Sequence, residues 1–104
     1  MNPTVAFKEG VHLAGLQPEM LVCIDKCAGV FAGMNITMTI TSARGGRHSN
    51  YSHHYKGMAL DLRVWEIIDI IDEVCVSLRN ELGSDYQVFN EENHIHIEYD
   101  PKGA

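Results

Sequence analysis

The chain has no apolar run long enough to cross a membrane and no excess of basic residues. A membrane-spanning helix needs ~20 consecutive apolar residues, and every apolar run in this sequence is far shorter. The chain carries 14 acidic and 8 basic residues, a formal net charge of −6. This charge argues against nucleic acid or an anionic membrane surface as the main partner. We therefore expect no membrane insertion and no nucleic-acid partner.

The sequence also lacks an even set of cysteines and a signal peptide. Its three cysteines, Cys23, Cys27 and Cys75, do not form a closed disulfide framework. Cys23 and Cys27 are spaced to share a helix face, which allows a metal role, but free cysteine is commonly a small buried hydrophobe. Reduced thiols are typical of cytosolic proteins. The first ten residues, MNPTVAFKEG, lack a basic flank followed by an apolar segment, so we expect cytoplasmic synthesis without export by a signal peptide.

Length and composition predict one compact domain over residues 1–104. The hydrophobic content of 45% is enough for one core. The first sixteen residues have weak periodicity and predict an irregular lead-in. A helix is predicted from Pro18, which suits a first helical turn, to Gly33. Its core-facing residues are expected at helical spacing: Leu21, Ile24, Ala28 and Phe31.

After the first helix, the sequence predicts four strands and a second helix. Residues 35–41 alternate between apolar residues and threonine, and residues 57–64 predict a second strand. The intervening segment 42–55 is rich in Gly, Arg, Ser, Asn and His, and loops of this length are usually functional or disordered. Residues 65–82 predict an amphipathic helix with a single apolar face: Ile68, Ile71, Cys75 and Leu78.

Residues 86–90 and 94–99 predict a β-hairpin closed by Glu91, Glu92 and Asn93. The whole pattern indicates an α+β fold, with a small antiparallel sheet and two main helices.

Asp61 is a carboxylate inside an otherwise apolar strand, and a buried carboxylate is costly unless it is paired or coordinates a metal. The strand 94–99 alternates so that His94, His96 and Glu98 share the face opposite the core. If the two strands are neighbours, Asp61 and His96 converge, and His54 in the preceding loop can supply a third ligand. Two imidazoles and one carboxylate suit a catalytic zinc ion (Zn2+), which keeps one coordination position open.

Each of these residues also has an explanation without a metal. An alternating His-Ile-His strand is often a solvated outer face, and Asp61 can be exposed or paired with Arg63. Spacing alone leaves these alternatives open.

The segment 52–61, SHHYKGMALD, is similar to the Ser-x-His-x-x-Gly-x-Ala-x-Asp signature of the zinc D-Ala-D-Ala carboxypeptidase family. That family belongs to a wider group with the lysostaphin-type enzymes, the hedgehog signalling domain and phage endolysins. All five signature positions are present: Ser52, His54, Gly57, Ala59 and Asp61. The segment His94-Ile-His96 resembles the His-x-His element that follows in the family, and the order of elements over residues 17–100 resembles the family core.

The resemblance implies that His54, Asp61 and His96 bind zinc. It implies a peptidase that hydrolyses peptide bonds of bacterial peptidoglycan stem peptides, of the D-Ala-D-Ala carboxypeptidase or L-Ala-D-Glu endopeptidase type. The implied chemistry is attack of zinc-activated water on a carbonyl group, with nearby groups that move protons. His94 is the first candidate for this proton transfer.

Two arginines and a serine are candidates for binding the substrate. Arg44 resembles the family arginine that follows the first strand and can hold a substrate carboxylate or the oxyanion, with Arg47 as its substitute. Ser52 is a further candidate beside the ligands. We expect a monomer whose partner is the peptide substrate.

The sequence departs from the family pattern at the position of the general base. Several branches of the family carry Glu-x-x-His, and here Asn93 occupies the glutamate position. Glu91 and Glu92 are the nearest carboxylates, and His94 is the alternative base. The missing glutamate also favours a second hypothesis, a zinc-containing binding module of the same fold without turnover. The absence of a signal peptide fits a phage endolysin released by a holin, or a cytoplasmic peptidase that recycles wall fragments.

Overall fold

The computed structural model describes residues 3–43 and 57–101, and these form an α+β fold, as predicted. The two main helices are α1 (Pro18–Gly33) and α2 (Ile71–Leu82), and a 3-10 turn (Ile68–Ile70) precedes α2. Five strands form one sheet: β1 (Val5–Phe7), β2 (Met38–Ser42), β3 (Ala59–Leu62), β4 (Tyr86–Asn90) and β5 (Ile95–Tyr99).

The sheet has the order β1-β2-β3-β5-β4 and is mixed. Four strands pair antiparallel as predicted, whereas β1 pairs parallel to β2. The prediction of an irregular lead-in was therefore wrong for residues 5–7. This strand is too short for a clear alternating pattern, and backbone bonds across its ends hold it: Met38 N–H donates to the Thr4 carbonyl oxygen, and Lys8 N–H donates to that of Ile40.

Both helices pack on one face of the sheet and enclose the hydrophobic core. The strands contribute buried side chains from alternate positions, as the two-residue period of a strand requires: Met38, Ile40, Leu60, Leu62, Ile95 and Ile97. The opposite face of β3 and β5 carries Asp61, His96 and Glu98, which are half-buried. The sheet therefore separates an apolar layer from a polar layer.

Helix α1 begins and ends where the sequence predicts, but its buried face differs. Met20, Cys23 and Cys27 are fully buried, whereas Leu21 is 51% exposed. The prediction that Leu21 faces the core was wrong, because the helix is rotated so that its methionine and cysteine side chains meet the sheet. The two thiol sulfurs of Cys23 and Cys27 are 3.8 Å apart inside the core, which agrees with their interpretation as small buried side chains.

The second predicted helix begins later than residue 65. Ile67 N–H donates to the Val64 carbonyl oxygen and Ile70 N–H to that of Ile67, so this segment turns with three-residue bonds before α2 starts. Ile68 is 58% exposed, and its expected place in the core was wrong. Among the described residues, no helix combines the length and the apolar character that a membrane span requires.

Strand β3 lies between β2 and β5 and carries the centre of the polar face. Its pairing with β2 is irregular, because Ile40 pairs with Leu62 while Ser42 pairs with Asp61. Thr41 is thus one additional residue of β2 between these two pairs, and its hydroxyl donates to the Asp61 carbonyl oxygen at 3.4 Å. Such bulges bend a strand and often occur beside functional sites.

Candidate metal and substrate site

Asp61 and His96 are direct cross-strand partners on the polar face of the sheet. The β3–β5 register places their Cα atoms opposite each other. The Nδ1–H group of His96 donates to Asp61 Oδ1 across 2.9 Å. The predicted convergence of these two residues is present in the structure.

Glu98 holds the other side of the His96 ring. It lies two residues further along β5 on the same face, and its Oε1 accepts a hydrogen bond of 2.9 Å from His96 Nε2–H. When the ring is charged, both of its nitrogens donate to carboxylates. The hydrogen bond to Asp61 raises the pKa of His96 above its usual value, with a further contribution from Glu98 and opposition from burial.

His94 stands beside this pair and is oriented by its neighbour in the chain. The amide oxygen Oδ1 of Asn93 lies 2.6 Å from His94 Nδ1. An amide oxygen only accepts, so Nδ1 carries the proton. Nε2 of His94 then faces Asp61 Oδ1, 3.8 Å away. In its neutral form His94 thus directs an unprotonated nitrogen toward the Asp61–His96 pair.

An open cleft of about 370 Å³ adjoins these residues. Asp61, Asn93 and His94 line one side of it, at the β3–β5 end. The rest of its wall comes from the ends of β1, β2 and β3: Lys8, Thr41, Ser42, Arg63 and Trp65. A second cleft of about 170 Å³ shares Lys8, Thr41 and Ser42 with the first, so the two together form an extended groove.

Glu91 and Glu92 are exposed residues of the β4–β5 turn. Glu91 N–H donates to the His94 carbonyl oxygen, and Glu92 N–H donates to Asn90 Oδ1. Glu92 lines a different cleft of about 300 Å³, against the start of α2. Of the three residues considered for proton transfer, His94 is the one that lines the cleft beside Asp61.

The other predicted site residues lie outside the described part of the chain. These are the third ligand candidate and the substrate-binding candidates: His54, Arg44, Arg47 and Ser52. Their positions relative to Asp61 and His96 therefore stay predictions.

The described residues fit a zinc ion in part. Two ligands of a tetrahedral zinc ion lie about 3.3 Å apart at the usual bond lengths, close to the 2.9 Å between His96 Nδ1 and Asp61 Oδ1. Glu98 on Nε2 matches the carboxylate that commonly holds a zinc-bound imidazole. Within residues 3–43 and 57–101, no group of three or more His, Cys, Asp or Glu side chains is arranged to hold a metal. The third residue of the predicted ligand set, His54, lies beyond these ranges.

Three residues of this region had no place in the predicted site: Glu98, Lys8, and Arg63, which was considered only as an alternative partner of Asp61. The alternation of β5 already placed Glu98 on the histidine face, and that signal could have identified it. Arg63 follows Asp61 by two residues, so the alternation of the strand places both side chains on the same face. Lys8 gave no signal, because its position depends on the parallel pairing of β1 with β2.

The scan against protein-family models found no match, and a search of curated proteins also found no match.

Proposed function

We propose that the protein is a zinc-dependent peptidase that hydrolyses peptide bonds of peptidoglycan stem peptides. The main support is the direct pairing of Asp61 with His96, at 2.9 Å and half-buried beside an open cleft. These two residues come from the two separate segments that resemble the family signature. Under the proposal, the substrate peptide lies in the cleft with its scissile carbonyl beside Asp61.

Asp61, His96 and His54 would hold the zinc ion. Once bound, zinc supplies Lewis acidity that polarises the carbonyl group and makes water a stronger nucleophile at neutral pH. His96 would bind through Nδ1 after losing its proton, while its Nε2–H bond to Glu98 holds the ring. Metal binding would therefore release a proton.

His94 is the general base of this proposal. Its Nδ1–H is held by Asn93, so Nε2 is available to accept a proton from the attacking water. The same nitrogen would then return the proton to the leaving amine. A histidine in this position can take over from the glutamate that Asn93 replaces.

Elemental analysis and digestion of muropeptides would test the proposal on the purified protein. We expect about one zinc per chain and cleavage that stops when a chelator is added. Product masses would separate the two candidate bonds, D-Ala-D-Ala and L-Ala-D-Glu. Absence of cleavage in the zinc-loaded protein would refute the peptidase.

Substitutions of the ligands test the zinc site itself. Asp61→Ala and His96→Ala should each abolish zinc binding and lower stability, because a bound ligand stabilises the folded state by mass action. Asp25→Ala is the control, since Asp25 is an exposed carboxylate on α1 that lines neither cleft of the groove. A normal zinc content in the Asp61 and His96 variants would contradict the ligand assignment.

A second candidate function is a zinc-containing binding module without turnover. The observation that favours it is Asn93, a neutral side chain where related peptidases carry a glutamate. Muropeptide binding by the zinc-loaded protein without any change in product mass would support this alternative.

A further inference from the structure

Arg63 lies in the wall of the cleft and is held there by its backbone and by an aromatic ring. Its backbone N–H donates to the Thr39 carbonyl oxygen at 2.9 Å, which continues the pairing beyond β3. Its guanidinium carbon lies 3.7 Å from the ring centroid of Trp65, a cation–π contact. Trp65 itself is 73% exposed. The indole ring thus supports the guanidinium from the solvent side instead of packing in the core.

The guanidinium has donors that the described residues leave without an acceptor. Nε of Arg63 is buried and has no hydrogen-bond partner among the described residues. The ion pairs found within the described ranges join His96 to Asp61 and Glu98, and join His94 to Asp61 when the His94 ring is charged. An arginine presents five N–H donors in a planar fork that matches a carboxylate. An arginine in a cleft wall that the described residues leave without an acceptor is therefore suited to an anionic ligand.

Lys8 provides a second cation across the same cleft. The pairing of β1 with β2 brings it to the groove, and it lines both clefts. It lies outside the ion pairs found within the described ranges, as Arg63 does. In a chain of net charge −6, two cations in one cleft that have no counter-ion among the described residues make a local site for negative charge.

We propose that Arg63 and Lys8 bind a free carboxylate of the substrate, on the residue that follows the scissile bond. This inference rests on the proposed function. Arg63 follows Asp61 by two strand residues, a rise of about 6.6 Å. One extended residue spans about 3.5 Å, so with the scissile carbonyl beside Asp61 and the peptide running along the strand, the carboxylate of the next residue lies between Asp61 and Arg63. Arg63 and Lys8 thereby determine substrate specificity, and Trp65 positions Arg63.

Two sources of this carboxylate are consistent with the candidate bonds. In a D-Ala-D-Ala end it is the C-terminal carboxylate. In an L-Ala-D-Glu bond whose glutamate continues through its side chain, it is the free α-carboxylate of that glutamate. The shared chemistry is a carboxylate one residue beyond the cleaved carbonyl.

Binding of matched peptide acids and amides by the zinc-loaded protein would test the inference without requiring turnover. The probes are N-acetyl-D-alanyl-D-alanine and N-acetyl-L-alanyl-D-glutamate, each with its free α-carboxylate and as the α-amide. Chemical-shift titration should show at least one acid binding about 10- to 100-fold more tightly than its amide, the range of a charge-assisted hydrogen bond. The pair with the larger ratio identifies the source of the carboxylate.

Substitutions of Arg63 and Lys8 would show whether these two cations cause the preference for the acid over the amide. Arg63→Gln should abolish the preference for the acid, and Lys8→Met should reduce it, while Arg63→Lys retains part of it. Trp65→Ala changes an exposed residue and should weaken the preference by releasing Arg63. Lys26→Met, on α1 and outside both clefts, is the charge-matched control and should leave it unchanged.

Equal binding of acid and amide to the wild-type protein would overturn the inference. Absence of saturable binding of all four peptides would do the same, as would an unchanged preference in both Arg63→Gln and Lys8→Met. A clear acid preference without cleavage of any peptide would instead refute the peptidase and leave the carboxylate site in place.

Discussion

Gly57 and Gly15 meet through their backbones, and a Cβ at position 57 would overlap with the carbonyl oxygen of Gly15. Gly57 also has a φ of 73°, in the region that L residues rarely adopt. Its own carbonyl oxygen accepts a hydrogen bond of 2.9 Å from Gln17 N–H. The segment before α1 is thus docked against the chain that leads into Asp61, and the signature glycine makes this contact possible.

Gly57→Ala should lower the free energy of unfolding by about 3 kcal/mol or more, because it combines backbone strain with overlap against backbone atoms. Gly10→Ala is the matched control: its φ is 86°, but no atom lies within 4 Å of the added Cβ. That variant should lose only about 1–2 kcal/mol. Chemical denaturation measures both values, and equal losses would show that the contact with Gly15 does not matter.

Glu98→Ala should weaken zinc binding by about 10- to 100-fold, since partners of this kind orient the metal-bound imidazole. Glu98→Gln should retain more affinity, because the amide oxygen can still accept from His96 Nε2–H. Competition with a fluorescent chelator measures the affinity. Glu91→Ala, in the exposed turn, is the control. Wild-type affinity in Glu98→Ala would remove Glu98 from the site.

Under the proposed function, His94→Ala should still bind zinc and lose turnover by about 100-fold or more, the scale of general acid–base catalysis. Asn93→Ala should lose less, because it removes only the acceptor of the 2.6 Å bond to His94 Nδ1. Asn93→Asp restores an acceptor and should recover activity relative to Asn93→Ala. Steady-state kinetics with zinc analysis would check this. A wild-type rate in His94→Ala would exclude it as the base.

In the zinc-free protein, His96 should titrate at higher pH than the same residue in the urea-unfolded chain. The hydrogen bond to Asp61 favours the charged ring and raises its pKa. A raised pKa in the folded state means that His96 stabilises the protein below the unfolded value of about 6.5. This stabilisation is lost as the pH rises through the folded-state pKa.

Asp61→Asn should lower the pKa of His96, which NMR titration of the ring protons in a chelator would show. The stability difference between the zinc-free wild type and this variant should increase from pH 9 to pH 5. A pKa unaffected by the substitution would mean that Asp61 does not control the protonation of His96.

Local patterns in the sequence were sufficient for most elements of the fold. The start of α1 at Pro18, its end at Gly33 and the hairpin around Glu91 and Glu92 agree with the structure. The two-residue period also placed Asp61 and His96 on the polar face of their strands, because side-chain alternation is a property of the strand backbone itself. The resemblance of segment 52–61 to a family signature, by contrast, concerns residues of which only 57–61 are described.

The features that depend on distant partners come from long-range packing. Strand β1 forms because it pairs with β2. The buried face of α1 depends on how the helix packs on the sheet. The pairing of β3 with β5 brings Asp61 within hydrogen-bond distance of His96. Local sequence is enough to show which side chains share a face of each element, since backbone geometry sets that locally. Long-range packing and strand order decide which faces meet, and no local sequence period encodes them. They therefore also create the cleft between Lys8, Arg63 and His94.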